Sequence, residues 1–159
     1  MNFRIGHGYD VHALGDGLRL VLGGVEIPHT KGCIAHSDGD VLIHAVCDAL
    51  LGAAAEGDIG KHFPDTSDEF KGIDSRLLLQ RVAVLLREKG YAIGNIDSTI
   101  AMQRPKLRPY IDAMCAEIAR AAGIAADCVS VKATTTERLG FEGEERGVSA
   151  TAVALIYKE

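Results

Sequence analysis

Apolar and polar residues fall into two rhythms along the chain, one suited to strands and one to helices. Phe3 to Val11 reads as a β-strand. Arg19–Leu22 and Val25–Ile27 are two short apolar arms around Gly23-Gly24, a hairpin signal. Lys31–Ala35 reads as a loop. Ser37-Asp38-Gly39-Asp40 then opens a helix, with Ser37 or Asp38 as N-cap and a stripe of Leu42, Ala45, Val46, Ala49 and Leu50, ending near Ala54 or Ala55. The stretch from Glu56 to Ile73 mixes Gly and Pro with charged residues and predicts a long loop, which in a small domain points to function or mobility. Asp74 caps a second helix, roughly Ser75 to Lys89, with Leu77, Leu78, Val82, Leu85 and Leu86 inward and Gly90 as the stop. A strand is expected within Tyr91–Gln103. Pro105 and Pro109 then turn the chain into a third helix, with Ile111, Met114, Cys115, Ile118 and Ala122 on one face and Gly123 at its end. Val129–Thr135 and Val148–Tyr157 read as strands around a glycine-rich, charged loop over Glu137–Gly147.

This order predicts an α/β (α+β) layer: a mostly four-stranded mixed sheet covered by helices on one face, plus a small hairpin. With 159 residues and no linker, repeat or low-complexity segment, one domain over 1–159 is expected. Composition changes little: 47% hydrophobic and 25% charged is ordinary for a globular protein. No run approaches the ~20 apolar residues of a membrane helix, and Met1–Gly6 has no leader-like pattern, so a cytoplasmic protein off the membrane is expected. The net charge of -5, without a basic stripe, argues against nucleic acid as a partner. An anionic small molecule remains compatible if metals and backbone N–H groups supply local positive potential. Cys33, Cys47, Cys115 and Cys128 form no C-x-x-C pair and read as small buried hydrophobes.

Asp10-Val11-His12 is the first chemical signal. Residues two apart on a strand share a face, so a carboxylate and an imidazole converge. His44, on the first helix, is available as a third ligand, and two nitrogens with one oxygen suit zinc with a fourth position open. His7 faces the other way from His12, and His29 and His62 are assigned no role. A short D-x-H pattern alone is equally compatible with a hydrogen-bonded Asp–His contact.

The passage His36-Ser37-Asp38-Gly39-Asp40-Val41-Leu42-Ile43-His44 adds weight. Asp10-Val11-His12 precedes it, and Gly57-Asp58-Ile59-Gly60-Lys61-His62-Phe63-Pro64-Asp65-Thr66 follows. Further on stand Pro105-Lys106 and Val131-Lys132-Ala133-Thr134-Thr135-Thr136-Glu137-Arg138-Leu139-Gly140-Phe141. In this order, from about Phe3 to Tyr157, the chain closely resembles the cyclodiphosphate synthase family.

That resemblance implies a phosphorus–oxygen lyase of the non-mevalonate isoprenoid pathway. It would convert 4-diphosphocytidyl-2-C-methyl-D-erythritol 2-phosphate to 2-C-methyl-D-erythritol 2,4-cyclodiphosphate and release CMP. Asp10, His12 and His44 would hold Zn2+ or another divalent ion at the β-phosphate. Glu137 would help hold Mg2+ or Mn2+ across the substrate diphosphate. His36 and Thr135 match transition-state stabilisers, and Ser37 lies in the same substrate-binding block. Asp58, Ile59 and Gly60 match the contacts to the methylerythritol portion, and Phe63, Pro64, Asp65, Thr66 and Ser67 the mobile loop over it. Met102, Gln103, Arg104, Pro105, Lys106, Leu107 and Arg108, with Ala133, Thr134, Thr135, Thr136 and Glu137, match the cytidine-diphosphate pocket. The family's homotrimers have active sites between subunits and a hydrophobic channel on the trimer axis that can hold an isoprenoid diphosphate. Phe141 and Glu144 fall in the segment facing that channel. There the family often has Phe-x-Gly-Arg-x-Glu-Gly, whereas this chain reads Phe141-Glu142-Gly143-Glu144-Glu145-Arg146-Gly147, so such ligands are expected to bind weakly or through Arg146. A zinc phosphohydrolase and a non-catalytic metal-holding module are the rival readings. The first would release free phosphate, the second no CMP.

Overall fold

Five strands form the main sheet of the computed structural model, which describes residues 2–158; Met1 and Glu159, the ends of the expected 1–159 domain, lie outside the described residues. In chain order the elements are β1 (Asn2–Asp16), β2 (Leu20–Leu22), β3 (Val25–Ile27), β4 (Lys31–Cys33), α1 (Val41–Ala53) and α2 (Ile59–His62). They continue with α3 (Ser75–Glu88), β5 (Tyr91–Ala101), α4 (Ile111–Ala122), β6 (Val129–Thr134), α5 (Gly140–Gly143) and β7 (Gly147–Lys158). The sheet order is β4-β1-β7-β5-β6, and β2 and β3 form a separate hairpin. β5 and β6 are parallel and connected through α4, while the other pairings are antiparallel, so the sheet is mixed.

Alternation along the strands decides what covers each face. Gly6 and Gly8 of β1, Ile96 and Ile100 of β5, and Ala150, Ala152 and Ala154 of β7 are buried beneath the helices. A Cβ built on Gly6 would lie 1.9 Å from the Ala49 carbonyl oxygen, and one on Gly8 1.9 Å from that of Ala45. Glycine therefore lets the α1 backbone rest directly on β1. The other face keeps Phe3, Ile5, Tyr9, Val11 and Val153 each at least 43% exposed. On β1 these residues alternate with the helix-facing set, and His7, which is exposed, belongs to this outer face as expected.

Several expectations change in detail. Lys31–Cys33, expected as loop, pairs with Leu14–Asp16 because β1 runs past Val11, which makes the fifth strand. The α1 N-cap is Asp40, not Ser37 or Asp38. Its carboxylate accepts from Ile43 N–H (3.0 Å), Gly23 N–H (2.9 Å) and Gly24 N–H (2.6 Å), so one buried side chain caps the helix and anchors the hairpin turn. Gly23 and Gly24 both take positive φ, as that turn requires. Leu77 is 47% exposed rather than inward, whereas Leu78, Val82 and Leu86 are buried. Cys33 and Cys47 are buried, but Cys115 and Cys128 are only partly so. The two expected loops carry α2, a 3-10 turn over Asp68–Phe70, and α5.

Candidate metal centre and its clefts

β1 and α1 cross so that three donors meet just beyond Gly8. Asp10 Oδ2 lies 3.0 Å from His44 Nδ1 and 3.1 Å from His12 Nε2, and the two nitrogens are 3.1 Å apart. A tetrahedral ion with bonds of about 2.0–2.1 Å needs donors about 3.3 Å apart. The triangle fits one small divalent ion, and these three residues could hold it. Burial would push the Asp10 carboxyl up, yet its hydrogen bonds to His12 and His44 and their positive charge together outweigh that and hold it well below the usual carboxylate range. Burial works against protonation of His44, but the Asp10 carboxylate overcomes it and raises the imidazole above its ordinary value. With both imidazoles neutral, the Asp10 carboxylate and the two ring nitrogens turn lone pairs toward one point, which suits a cation.

Beside it lies a cleft of about 310 Å³, whose lining includes His12, His36, Ser37, His44, Ile59 and Phe63. His36 Nε2 lies 3.0 Å from the Ser67 carbonyl oxygen, which ties the 63–67 segment to the residues opening α1. Gly60 and Asp65 also line this cleft. Asp58 is exposed and caps α2, accepting from Lys61 N–H at 2.9 Å. Pro64 and Thr66 are exposed as well. Asp48, which the sequence reading missed, accepts Ile59 N–H at 2.7 Å and holds the start of α2 against α1. Its position, one helical turn beyond His44 on the same side, was the available signal.

A second cleft of about 400 Å³ shares no lining residue with the first. Met102, Gln103, Pro105, Lys106, Leu107, Arg108, Ala133, Thr134 and Thr135 all line it. Lys106, Arg108 and Lys132 give it a cationic lining on a protein of net charge -5, although Lys132 is paired with Asp97. After β6 the backbone turns through positive φ at Glu137 and Arg138, and Arg138 N–H donates to Gln103 Oε1 at 3.2 Å. Glu137 accepts from the Thr135 hydroxyl at 3.2 Å and is not part of the Asp10, His12 and His44 group. Arg104, Thr136 and Phe141 line neither cleft, and Glu144 is exposed and paired with Arg146 Nε at 2.7 Å.

Comparison with known proteins agrees with this geometry. The YgbB family matches residues 3–157. A 2-C-methyl-D-erythritol 2,4-cyclodiphosphate synthase of Thioalkalivibrio sulfidiphilus is 66% identical over 155 residues, covering 98% of this chain and 97% of that one. A protein of the same name from Pseudomonas aeruginosa (strain UCBPP-PA14) is 61% identical, covering 96% and 98%. Among solved structures, IspF of Plasmodium falciparum in complex with CDP superposes with a TM-score of 0.86 at 33% identity, covering 99% and 97%. The bifunctional IspDF of Campylobacter jejuni gives 0.95 at 42% identity, with 99% of this chain covered but only 43% of that longer one.

Proposed function

The chain belongs to the YgbB family, and on that premise we propose how it works as a 2-C-methyl-D-erythritol 2,4-cyclodiphosphate synthase of the isoprenoid pathway. Its reaction joins two phosphates of one substrate. An oxygen of the 2-phosphate attacks the β-phosphorus of the cytidine diphosphate, a new P–O–P bond forms, and the bond from that phosphorus to the CMP oxygen breaks. The attacking atom belongs to the substrate, so the chain needs no nucleophile of its own. It needs positioning and charge neutralisation, the main terms in phosphoryl transfer.

The observation that carries this reading is the Asp10, His12 and His44 triangle opening beside a cleft lined by His36 and Ser37. A divalent ion there, Zn2+ by its donor set, supplies Lewis-acid polarisation of a phosphate oxygen when bound. His36 and Ser37 offer hydrogen bonds at the same cleft, and Ile59, Gly60 and the 63–67 segment enclose the methylerythritol portion. Lys106, the threonine run and the backbone around it receive the cytidine diphosphate. Thr135 holds the Glu137 carboxylate, the candidate ligand of a second ion, Mg2+ or Mn2+. The two clefts are separate on one chain, which supports sites completed by a neighbouring copy. The uncovered apolar sheet face of Phe3, Ile5, Tyr9, Val11 and Val153 supports the same arrangement, since such a face favours burial against another copy. The reading therefore includes a homotrimer, one synthase domain over 1–159, and a cytoplasmic setting. Any isoprenoid diphosphate in the trimer channel meets an Arg146 already neutralised by Glu144, so weak binding is expected. Calorimetry with farnesyl diphosphate tests that point, and tight binding unaffected by Arg146→Ala would overturn it.

The decisive experiment follows phosphorus NMR of the protein with 4-diphosphocytidyl-2-C-methyl-D-erythritol 2-phosphate, zinc and magnesium, with His44→Ala in parallel. A cyclic diphosphate appearing with equimolar CMP, and lost in the variant, is expected. Free phosphate would instead mark a hydrolase, and absence of turnover with metal bound a binding module.

A further inference from the structure

One hydroxyl stands between the metal-facing histidine and a carboxylate that the mechanism above leaves unused. His44 turns Nδ1 toward Asp10 and His12, and its Nε2 lies 2.9 Å from Ser75 Oγ and 3.2 Å from Ser37 Oγ. Ser75 Oγ donates to Asp38 Oδ1 at 2.5 Å, so its one proton is committed and toward His44 it can only accept. The other Asp38 oxygen accepts Ser75 N–H at 2.9 Å, and Oδ1 also takes Asp40 N–H at 3.1 Å. Ser75 is fully buried, so water does not compete for its oxygen. It is not needed as a helix cap, because Asp74 fills that role for α3. Ser37 is the poorer partner: its contact is longer, its proton is not fixed by a carboxylate, and it already accepts Gly39 N–H at 3.2 Å.

We propose that Asp38 and Ser75 are positioning residues for the metal centre: a carboxylate–hydroxyl relay that holds the His44 proton on Nε2 and leaves the Nδ1 lone pair for the ion. The inference rests on the reading of Asp10, His12 and His44 as a metal site. A neutral imidazole has one donor and one acceptor nitrogen, and only the tautomer with N–H at Nε2 serves a ligand at Nδ1. The negative charge on Asp38 draws on the Ser75 proton and makes Oγ a stronger acceptor. That in turn makes the imidazole a better metal ligand. The relay also orients the ring, because its two ends are fixed to different segments, the turn before α1 and the first residue of α3.

Zinc affinity of the full chain, measured by competition with a chromophoric chelator, tests the relay without turnover. Ser75→Ala should weaken zinc binding by about 10–100-fold, the usual cost of losing an outer partner. Asp38→Asn should weaken it by a smaller factor, and that loss should vanish in the Ser75→Ala background, because the carboxylate acts through the hydroxyl. A merely structural role, or a through-space charge effect, would leave the two losses additive and would overturn the relay. So would Ser75→Ala binding zinc within about twofold of the parent, given the larger loss expected of an outer-partner deletion. The metal reading has its own control in His44→Ala. A parent that binds no zinc, or binds it unchanged in His44→Ala, sinks the metal centre and the relay together. Binding lost in His44→Ala but untouched in Ser75→Ala sinks the relay alone.

Discussion

Replacing Gly8 with alanine tests how the fold makes the site. The added Cβ would sit 1.9 Å from the Ala45 carbonyl oxygen and 2.7 Å from Ala49 N, both backbone atoms that no rotamer change can move. Ordinary contact begins near 3.4 Å, so α1 must retreat from β1 by about 1.5 Å. Ala45 is the residue after His44, so the retreat is passed on to the imidazole almost undiminished. The His44–Asp10 separation of 3.0 Å would then approach about 4.5 Å. Donors bound to one ion at about 2.0–2.2 Å cannot lie more than about 4.4 Å apart, even on opposite sides of it. Zinc affinity should therefore fall by at least about 100-fold, as for loss of a ligand rather than of its outer partner. Overpacking of this kind costs typically 1–3 kcal/mol, and the upper end applies because the obstacle is backbone. At about 2–4 °C per kcal/mol for a domain of this size, the melting temperature should drop by roughly 6–12 °C. Chelator competition and thermal unfolding of the metal-free chain measure the two effects. A Gly8→Ala protein that keeps parental zinc affinity would refute the claim that this glycine sets the ligand geometry.

Other predictions concern charge and assembly. Burial pushes the Asp40 carboxyl up to about 6 from an ordinary 3.8, against the opposing pull of the backbone N–H groups of Ile43, Gly24 and Gly23. The folded state thus holds the proton more tightly than the unfolded one. This contribution is complete below pH 3.8 and is lost as pH rises through about 6. It is worth on the order of 3 kcal/mol. The stability of the parent relative to Asp40→Asn should therefore fall between about pH 4 and pH 7 in urea titrations, and parallel curves would contradict it. If the chain assembles as the proposed homotrimer, Ile5, 72% exposed on the uncovered sheet face, should be buried in it. Ile5→Asp should then give monomers by light scattering, while a trimer of unchanged stability would count against association through that face. Finally, His44→Ala and Lys106→Ala should each be inactive. If sites lie between subunits, an equimolar mixture of the two variants, reassembled at random, should regain roughly a quarter of parental activity, and no recovery would place both residues in one chain's site.

Much of the element order was legible in the chain itself. Asp74, Gly90 and Gly123 mark helix ends by local chemistry, and the structure keeps them as cap or stop. The pairing of Asp10 with His12 on one strand face likewise follows from a period of two. The N-cap of α1 was harder to read, because Ser37, Asp38 and Asp40 are all good capping residues. Contact with the Gly23-Gly24 turn, far away in sequence, selects Asp40. Leu77 was misread for a related reason: periodicity gives the width of an apolar stripe but not where the neighbouring helix ends.

Sequence therefore settled which residue types are present and which local conformations they favour, since capping, turn and strand preferences act over a few residues. Tertiary structure decided that His44 meets Asp10 and His12 at 3.0–3.1 Å, because only two glycines on β1 let α1 come close enough. It also placed the Ser75 hydroxyl between Asp38 and His44, residues brought together by the docking of α3 rather than by any spacing along the chain.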